Sequence, residues 1–591
     1  MRRVGAAVLT TLFVWTIVTP DKILFADALH WGDSGAAYAS YSFSVGIDGD
    51  LDFANEVAFR LNEYPNGRVL PVHPPGPGLL ASPMVGGFAL LDRVTEHPVL
   101  ASRFQAAGSW ALFGHFFASL GALLAGVYLA IRAAREVNQS RQTRLSAALL
   151  LLMIAGTGLP YYGLDSYIAG HSFEFLASGL LLFGSVRLGG KDSRFLIPGL
   201  LVTLGIALSL LVRPANVNLL LLPFITQLAV GIIQRFPYTR TQFLQTVTAV
   251  MLGVFLVVSA NIVLYGNPYP SLSAQYTGSS SRPSPVLAEP TTPSASMAWV
   301  SEIPNRSLSG HVSLFFSDTA MRAARAAGEF QDLQTILFSQ EFGITYFMPL
   351  VTFGGLLLKL SLLLLWRERA FRKRALLLGA LCTMYASVPF AVVLNWQSHA
   401  SGFGFRYLFS LVPLGLLGLL LADSLCRQAA SRLVFRTVLV LTLGFSLFSL
   451  LGQAFYYSSP GLIPTYGVNS FGITRGGVSP NFATALLSDL LNTSAWLQVL
   501  GRGFLGTLGF IVLPSSLFAL LDKNITVNLA RDEFDTLFEL ATGYPQLLDQ
   551  ASPGVLPMVL LTIGFLVPMV TLWLGRDSTY EADKMFGLVD K

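Results

Sequence analysis

Charge is scarce in this chain. Asp, Glu, Lys and Arg make up 12% of its 591 residues and hydrophobic residues 53%, whereas soluble domains carry about twice that charged share. So few ionised groups cannot cover a water-facing surface, and a soluble globular protein is excluded. Cysteine is nearly missing as well. Cys382 and Cys426 are the only two, each in or at the end of an apolar run, so neither a disulfide framework nor a thiolate zinc site is indicated. Three chemical signatures are also absent: a G-x-x-x-x-G-K-[ST] phosphate loop, H-E-x-x-H and G-x-S-x-G. ATP-driven transport, zinc hydrolysis and serine hydrolysis therefore have no handle in the sequence.

What the chain has in abundance is long apolar runs, and its mean hydropathy is +0.59. A hydrocarbon core about 30 Å thick takes about 20 apolar residues per helix. Windows of that kind fall near 4–19, 105–131, 145–162, 171–187, 195–212, 215–233, 243–265, 343–366, 375–394, 405–425, 434–455, 499–521 and 554–575. The expected fold class is an all-α polytopic membrane protein, a bundle of about 12–13 transmembrane helices. The basic start MRRVGAAVLTTLFVW also resembles a secretory signal, but Pro20, Asp21 and Lys22 separate the apolar run from Ala26 and Ala28, and an uncleaved anchor is expected.

The formal net charge of +5 is spread over short loops instead of forming one basic face, so no nucleic-acid partner is expected. With the N-terminus inside and 77–92 lying at the interface, the loops RAAREVNQSRQTR, GGKDSR, QRFPYTR, WRERAFRKRA and CRQAASRLVFR all fall on the cytoplasmic side. Counting 77–92 as a span would export WRERAFRKRA, against the positive-inside tendency. The segments 20–104, 266–342, 395–404 and 456–498 then share the outer face. Residues 20–76 show little helical periodicity and read as a long polar loop. The stretch 266–342 begins Ser/Pro-rich and reads as a flexible loop.

Outer-face residues supply the candidates for chemistry. Asp33 in HWGDS is either a general base for a hydroxyl or a helix cap or solvated acid. Asp48, Asp50 and Asp52 form D-G-D-L-D, but Phe53 and Phe59 stand at the sixth and twelfth positions of the calcium loop that this would begin, which excludes an EF-hand. A D-x-D metal site on a nucleotide sugar does not suit an outer loop, and a hydrated, turn-forming acidic loop is the simpler reading. His73, held between prolines in RVLPVHPPGPG, sits on a rigid loop and either hydrogen-bonds a substrate or is an ordinary loop histidine. Arg213 and Arg406 each end an apolar run at the outer side. They suit an anionic lipid phosphate or snorkel to headgroups. His171 and Glu174 are weaker candidates of the same position.

Taken in order, the pieces resemble a family. A first span, an outer loop with G-D and G-D-L-D, H-P-P-G-P, then LSLLVRPANVNLLLLP, NIVLYGNPYP, LFSQEFGITYFMPLV and GFGFRYLFSLVPLGLLGL are similar to the C-type (GT-C) integral-membrane glycosyltransferases, bacterial ones akin to protein O-mannosyltransferases and lipid A aminoarabinose transferases. The resemblance spans 1–425; the region 426–591 carries no family signature. It implies a GT-C-like catalytic region, a sugar donor on a polyprenyl phosphate, a glycan, lipid or protein acceptor, and an active site on the outer face of a bacterial inner membrane. It also implies Asp33 as the base, while Arg406, Arg213 and His73 are assigned to the donor and Asp48, Asp50, Asp52 and His171 to the acceptor or the shape of the loops. The family commonly has a second acid after the first. Here that position is Ser34, which leaves a divalent metal without that carboxylate; no cofactor is expected, and a changed or lost activity stays open.

A transporter or flippase for a lipid-linked glycan is the alternative class. Transporters place polar residues at mid-membrane, often in repeated halves, whereas the acids and histidines here gather at one face. The orientation is testable in a background lacking Cys382 and Cys426. In intact cells an impermeant maleimide is expected to label Val45→Cys and to spare Ala370→Cys, and the opposite pattern would reverse the topology.

Overall fold

The computed structural model describes residues 33–94, 110–137, 153–189, 195–268, 348–395 and 406–442, with short gaps, and the strand residues 282–283, 468–469 and 472–473. The expected spans at 4–19, 499–521 and 554–575 lie outside the described residues. Apart from two small sheets, those described form an all-α polytopic membrane protein.

The chain enters as helix α1, Asp33–Phe43, followed by a π-helical turn, Ser44–Asp48, which Gly49 ends at φ 73°. This corrects the reading of 20–76 as a loop without helix. Ala37 through Phe43 are all buried, and a helix enclosed on every side shows no 3.6-residue alternation for a sequence to display. Strands β1, Arg60–Glu63, and β2, Val69–Pro71, form a hairpin that pairs Leu61 with Pro71. Strand β3, Arg282–Pro283, comes from the Ser/Pro-rich segment and pairs antiparallel with β1, so the sheet order is β2-β1-β3. Tyr41 of α1 donates to Pro71 O at 3.1 Å and ties the sheet to the first helix.

Next come α2, Gly76–Val94; α3, Trp110–Val137; the short α4, Leu159–Leu164; α5, His171–Leu188; and α6, Leu196–Val212. A 3-10 segment, Pro214–Leu221, leads into α7, Leu222–Ile233, and then α8, Arg240–Tyr265. Helices α9, Pro349–Arg367, and α10, Arg372–Asn395, precede a second 3-10 segment, Arg406–Leu411, and α11, Val412–Leu425. Among the described residues, five stretches are able to cross a membrane by length and composition: Trp110–Val137, Pro214–Ile233, Arg240–Tyr265, Pro349–Arg367 and Tyr407–Leu425. Helix α3, at about 42 Å for a 1.5 Å rise per residue, exceeds a 30 Å core. Its first turns carry α2 alongside, where the buried Asp92 carboxylate accepts from Trp110 N at 2.7 Å and Ala111 N at 2.9 Å. Two donors that every helix start leaves open are thereby satisfied by a side chain of the preceding helix.

Glycine sets how closely the helices approach. A Cβ on Gly126 of α3 would meet the Phe175 backbone oxygen of α5 at 3.1 Å, and one on Gly179 would meet Gly126 O at 2.8 Å. Gly354 of α9 packs directly on the backbone of Gly415 and Gly418 of α11. Small residues are what membrane helices use for such contacts, because lipid supplies no hydrophobic drive between them. Ser119 of α3 adds a hydrogen bond to Ser172 of α5 at 3.0 Å, and Gln227 of α7 one to Thr246 of α8 at 2.6 Å.

These contacts sort the described loops into two ends. At one, Arg187 pairs with Glu136 at 3.4 Å, Gln234 donates to Glu136 O at 3.2 Å, and Gln242 donates to Gly189 O at 3.0 Å. At the other lie the starts of α2 and α5, the end of α6 and Arg406–Leu411. The pairing of Gly354 with Gly415 and Gly418, and of Leu358 with Gly418, makes α9 run parallel to α11, which leads away from Arg406–Leu411; the end of α9, with its basic residues, therefore falls at the Glu136 end. Gly354→Val should lower the unfolding temperature by the equivalent of about 1–3 kcal/mol, the usual scale of overpacking. Its neighbour Gly355, with open space around it, should accept Val without loss. Equal melting of the two purified variants would show that the α9–α11 contact is not as close as described.

Candidate functional site

Five segments meet at the end away from Glu136. A Cβ on Gly76 would lie 2.6 Å from the Leu211 and Val212 backbone, and one on Gly170 would lie 2.6 Å from Pro77 Cγ and 3.3 Å from Val212 Cγ1. The H-P-P-G-P loop is thus pressed onto the end of α6 and the start of α5. His73, half-buried on this loop, has its ring 5.6 Å from that of Tyr38, which stands five residues after Asp33 in α1. Asp33 itself opens α1; its side chain lies outside the described residues.

The centre of this end is ionic. Arg213 leaves the α6 helix in an extended conformation, because Pro214 disfavours the α region for the residue before it. Its guanidinium lies 3.4 Å from Glu174 Oε2, 3.4 Å from His171 Nδ1 and 4.7 Å from the centroid of the Tyr407 ring. His171 Nδ1 in turn lies 3.3 Å from Glu174 Oε2. Glu174 and His171 are buried at 1% and 4% exposure. Tyr162 and Phe409 flank the imidazole, with centroids at 4.3 Å and 5.7 Å. A carboxylate taken out of water needs a partner, and Arg213 supplies it while the Tyr407 face adds a cation-π contact.

Arg406 opens the 3-10 segment that carries Tyr407, whose ring lies over the Arg213 guanidinium; the Arg406 side chain lies outside the described residues. Of the sequence candidates, Arg213 and His171 are in direct contact, and Asp33, His73 and Arg406 belong to segments at the same end. Glu174 is the member that the sequence underrated. Its three-residue spacing from His171 puts both on one helix face, but the partner 39 positions on is visible only in the fold.

Asp48, Asp50 and Asp52 are elsewhere, beyond the far end of α1, about 16 Å along the helix from Asp33. All three are exposed. The Asp50 carboxylate accepts from Ser44 Oγ at 2.9 Å and from Asp52 N at 3.0 Å, an arrangement that shapes a turn. Glu56 joins them. Burial, then the neighbouring Asp48 carboxylate, with smaller effects of Asp50 and Asp52, push its pKa from 4.5 up to about 9, and its Oε1 is buried without a hydrogen-bond partner. Among the described residues no group of three or more His, Cys, Asp or Glu side chains is placed to hold a metal ion.

No protein-family model and no curated protein matches the sequence. Among solved structures the chain is similar to ArnT from Cupriavidus metallidurans bound to undecaprenyl phosphate, with 13% identity, 95% of this chain and 77% of that one covered, and a TM-score of 0.37. ArnT in the apo state gives 15% identity at the same coverage and TM-score. The oligosaccharyltransferase of Archaeoglobus fulgidus in complex with Zn and sulfate gives 13% identity, 80% and 57% coverage, and a TM-score of 0.32.

The Glu56 carboxyl has a consequence for pH. Its folded pKa is raised above the unfolded value, so the stability it contributes is complete below about 4.5 and is lost as pH climbs towards 9. Glu56→Gln removes that titration. Its unfolding temperature relative to the unsubstituted protein should rise steadily from pH 5 to pH 9, and a pH-independent difference would contradict the burial of this acid.

Proposed function

We propose that this chain is an inverting glycosyltransferase that moves a sugar from a polyprenyl-phosphate donor to an acceptor hydroxyl. The observation that carries the reading is the gathering at one end of the bundle of the helix that begins at Asp33, the His73 loop, Arg213 with its ionic partners, and the segment that begins at Arg406. The GT-C resemblance of residues 1–425 supports the same assignment. The end opposite this site bears Arg187, Arg240 and the basic turn after α9, and by the positive-inside tendency it is the cytoplasmic one. The site then faces outward, in a bacterial inner membrane, where lipid-borne donors are used and nucleotide sugars are not supplied.

The reaction needs one base and no protein nucleophile. The acceptor oxygen attacks the anomeric carbon from the face opposite the phosphate, a new C–O bond forms, and the bond from carbon to phosphate oxygen breaks. The bonding pair leaves on the phosphate, and the acceptor proton passes to the Asp33 carboxylate. The Arg213 and Arg406 guanidinium groups hold the phosphate and stabilise the charge that develops on it. His73, on its proline-braced loop, orients the donor. Holding both reactants in line removes much of the entropic barrier.

Asp33→Asn retains size and hydrogen bonding but takes up no proton, so turnover should fall by roughly 10²-fold or more while donor binding survives. The same change at Asp48, Asp50 or Asp52, which lie beyond the far end of α1 from Asp33, should have much smaller effects. Transfer can be followed by mass spectrometry with purified protein and a lipid extract. Near-normal transfer by Asp33→Asn would remove the catalytic assignment of Asp33, whereas absence of transfer by the unsubstituted protein would favour a carrier of lipid-linked glycan.

A further inference from the structure

Glu174 is at odds with a simple phosphate site. A carboxylate buried to 1% exposure and 3.4 Å from the Arg213 guanidinium cancels much of the positive charge that a phosphate would seek. Its shared oxygen, Oε2, is also the one that faces His171 Nδ1 at 3.3 Å. The segments around it are packed closely, Gly76 on the backbone of Leu211 and Val212 and Gly170 on the Pro77 and Val212 side chains, so this counter-charge is fixed in place. In water such an opposing charge would be screened; in a poorly polarisable site it is felt across several ångströms.

The proposed reaction gives that opposition a use. The donor lipid carries a phosphodiester with one negative charge. Breaking the bond to the anomeric carbon leaves a monoester, whose second ionisation has a pKa near 6, so that it carries about 1.5 to 2 negative charges at neutral pH. A purely cationic site would therefore hold the spent lipid more tightly than the fresh donor and would stall. We propose that Glu174 is a specificity-determining residue that weakens the hold of the Arg213 site on the phosphate monoester more than on the diester, and so sets the release of the spent lipid carrier. This rests on the glycosyltransferase reading above. Neither the proton nor the leaving group passes through Glu174, which acts on the lipid only through charge.

The test compares Glu174→Gln and Glu174→Asp with the unsubstituted enzyme in nanodiscs at pH 7.5. It measures inhibition by an added polyprenyl phosphate monoester, the KM for the glycosylated donor, and the first turnover against steady-state turnover. Glu174→Gln should tighten monoester inhibition by roughly tenfold or more, the scale of one unit charge a few ångströms away in a medium of intermediate polarity. Donor KM should fall by less, and a fast first turnover should precede a slowed steady state. Glu174→Asp, which keeps the charge but withdraws it from the arginine, should lie between. It decides the matter alone if loss of the buried partner unfolds Glu174→Gln. Equal weakening of monoester and donor would make Glu174 a prop for Arg213 and overturn the proposal. So would unchanged inhibition in a correctly folded variant. The underlying reading fails separately, if the unsubstituted enzyme and Arg213→Ala bind the monoester equally poorly.

Discussion

A guanidinium and a carboxylate removed from water together are tolerable where either alone is not, and the pairing of Arg213 with Glu174 is the constraint around which this end of the molecule is organised. Glu174 sits in the first turn of α5 and Arg213 at the end of α6, so the pair forms only if those two helix ends are held level. The glycine contacts at Gly76 and Gly170 hold them there. The 3-10 segment then brings Tyr407 over the guanidinium, and Phe409 comes edge-on to His171. Packing and electrostatics are one problem here, because a shift in helix height would part the two buried ions.

The membrane helices were legible in the sequence because their signal is large and local. Apolar runs long enough to span announce themselves whatever surrounds them, and the expected spans at 171–187, 195–212, 243–265, 343–366, 375–394 and 405–425 overlap α5, α6, α8, α9, α10 and the Arg406–Leu425 pair of elements. Helix α1 was not legible. Its residues Ala37 to Phe43 are enclosed all round and include Ser40 and Ser42, so neither amphipathic alternation nor a long apolar run marks them. The Thr239 capping box, in which Thr239 Oγ1 accepts from Gln242 N at 3.2 Å and Gln242 Oε1 from Thr239 N at 3.0 Å, is by contrast a local T-x-x-Q pattern readable from four residues.

The site itself divides in the same way. An arginine followed by proline at the end of an apolar run marks Arg213 from the sequence alone, and His73 is marked by its flanking prolines. What could not be read is the company these residues keep. Glu174 is one acid in a helix until α6 brings a cation to it. Glu56 is an ordinary glutamate until burial beside Asp48 keeps its proton on. In both cases the deciding quantity is the loss of solvent, which depends on contacts between segments that a linear reading cannot add up.

The small sheet has a consequence for how the protein is made. Strand β1 finds β2 within a few residues, but its other edge is covered by β3, and the paired Arg60 and Pro283 stand more than two hundred positions apart. Helices α2 to α8 all lie between them in the chain. At a synthesis rate of about 5–20 residues per second, the exposed edge of β1 waits on the order of ten to forty seconds for its neighbour. During that interval the segment carrying Asp33 is tethered by Tyr41 to a two-stranded hairpin with an open side, a marginal structure in water. The closing strand reaches it only once α8 has been made, so the assembly of this end of the molecule is timed by the ribosome as well as by its own contacts.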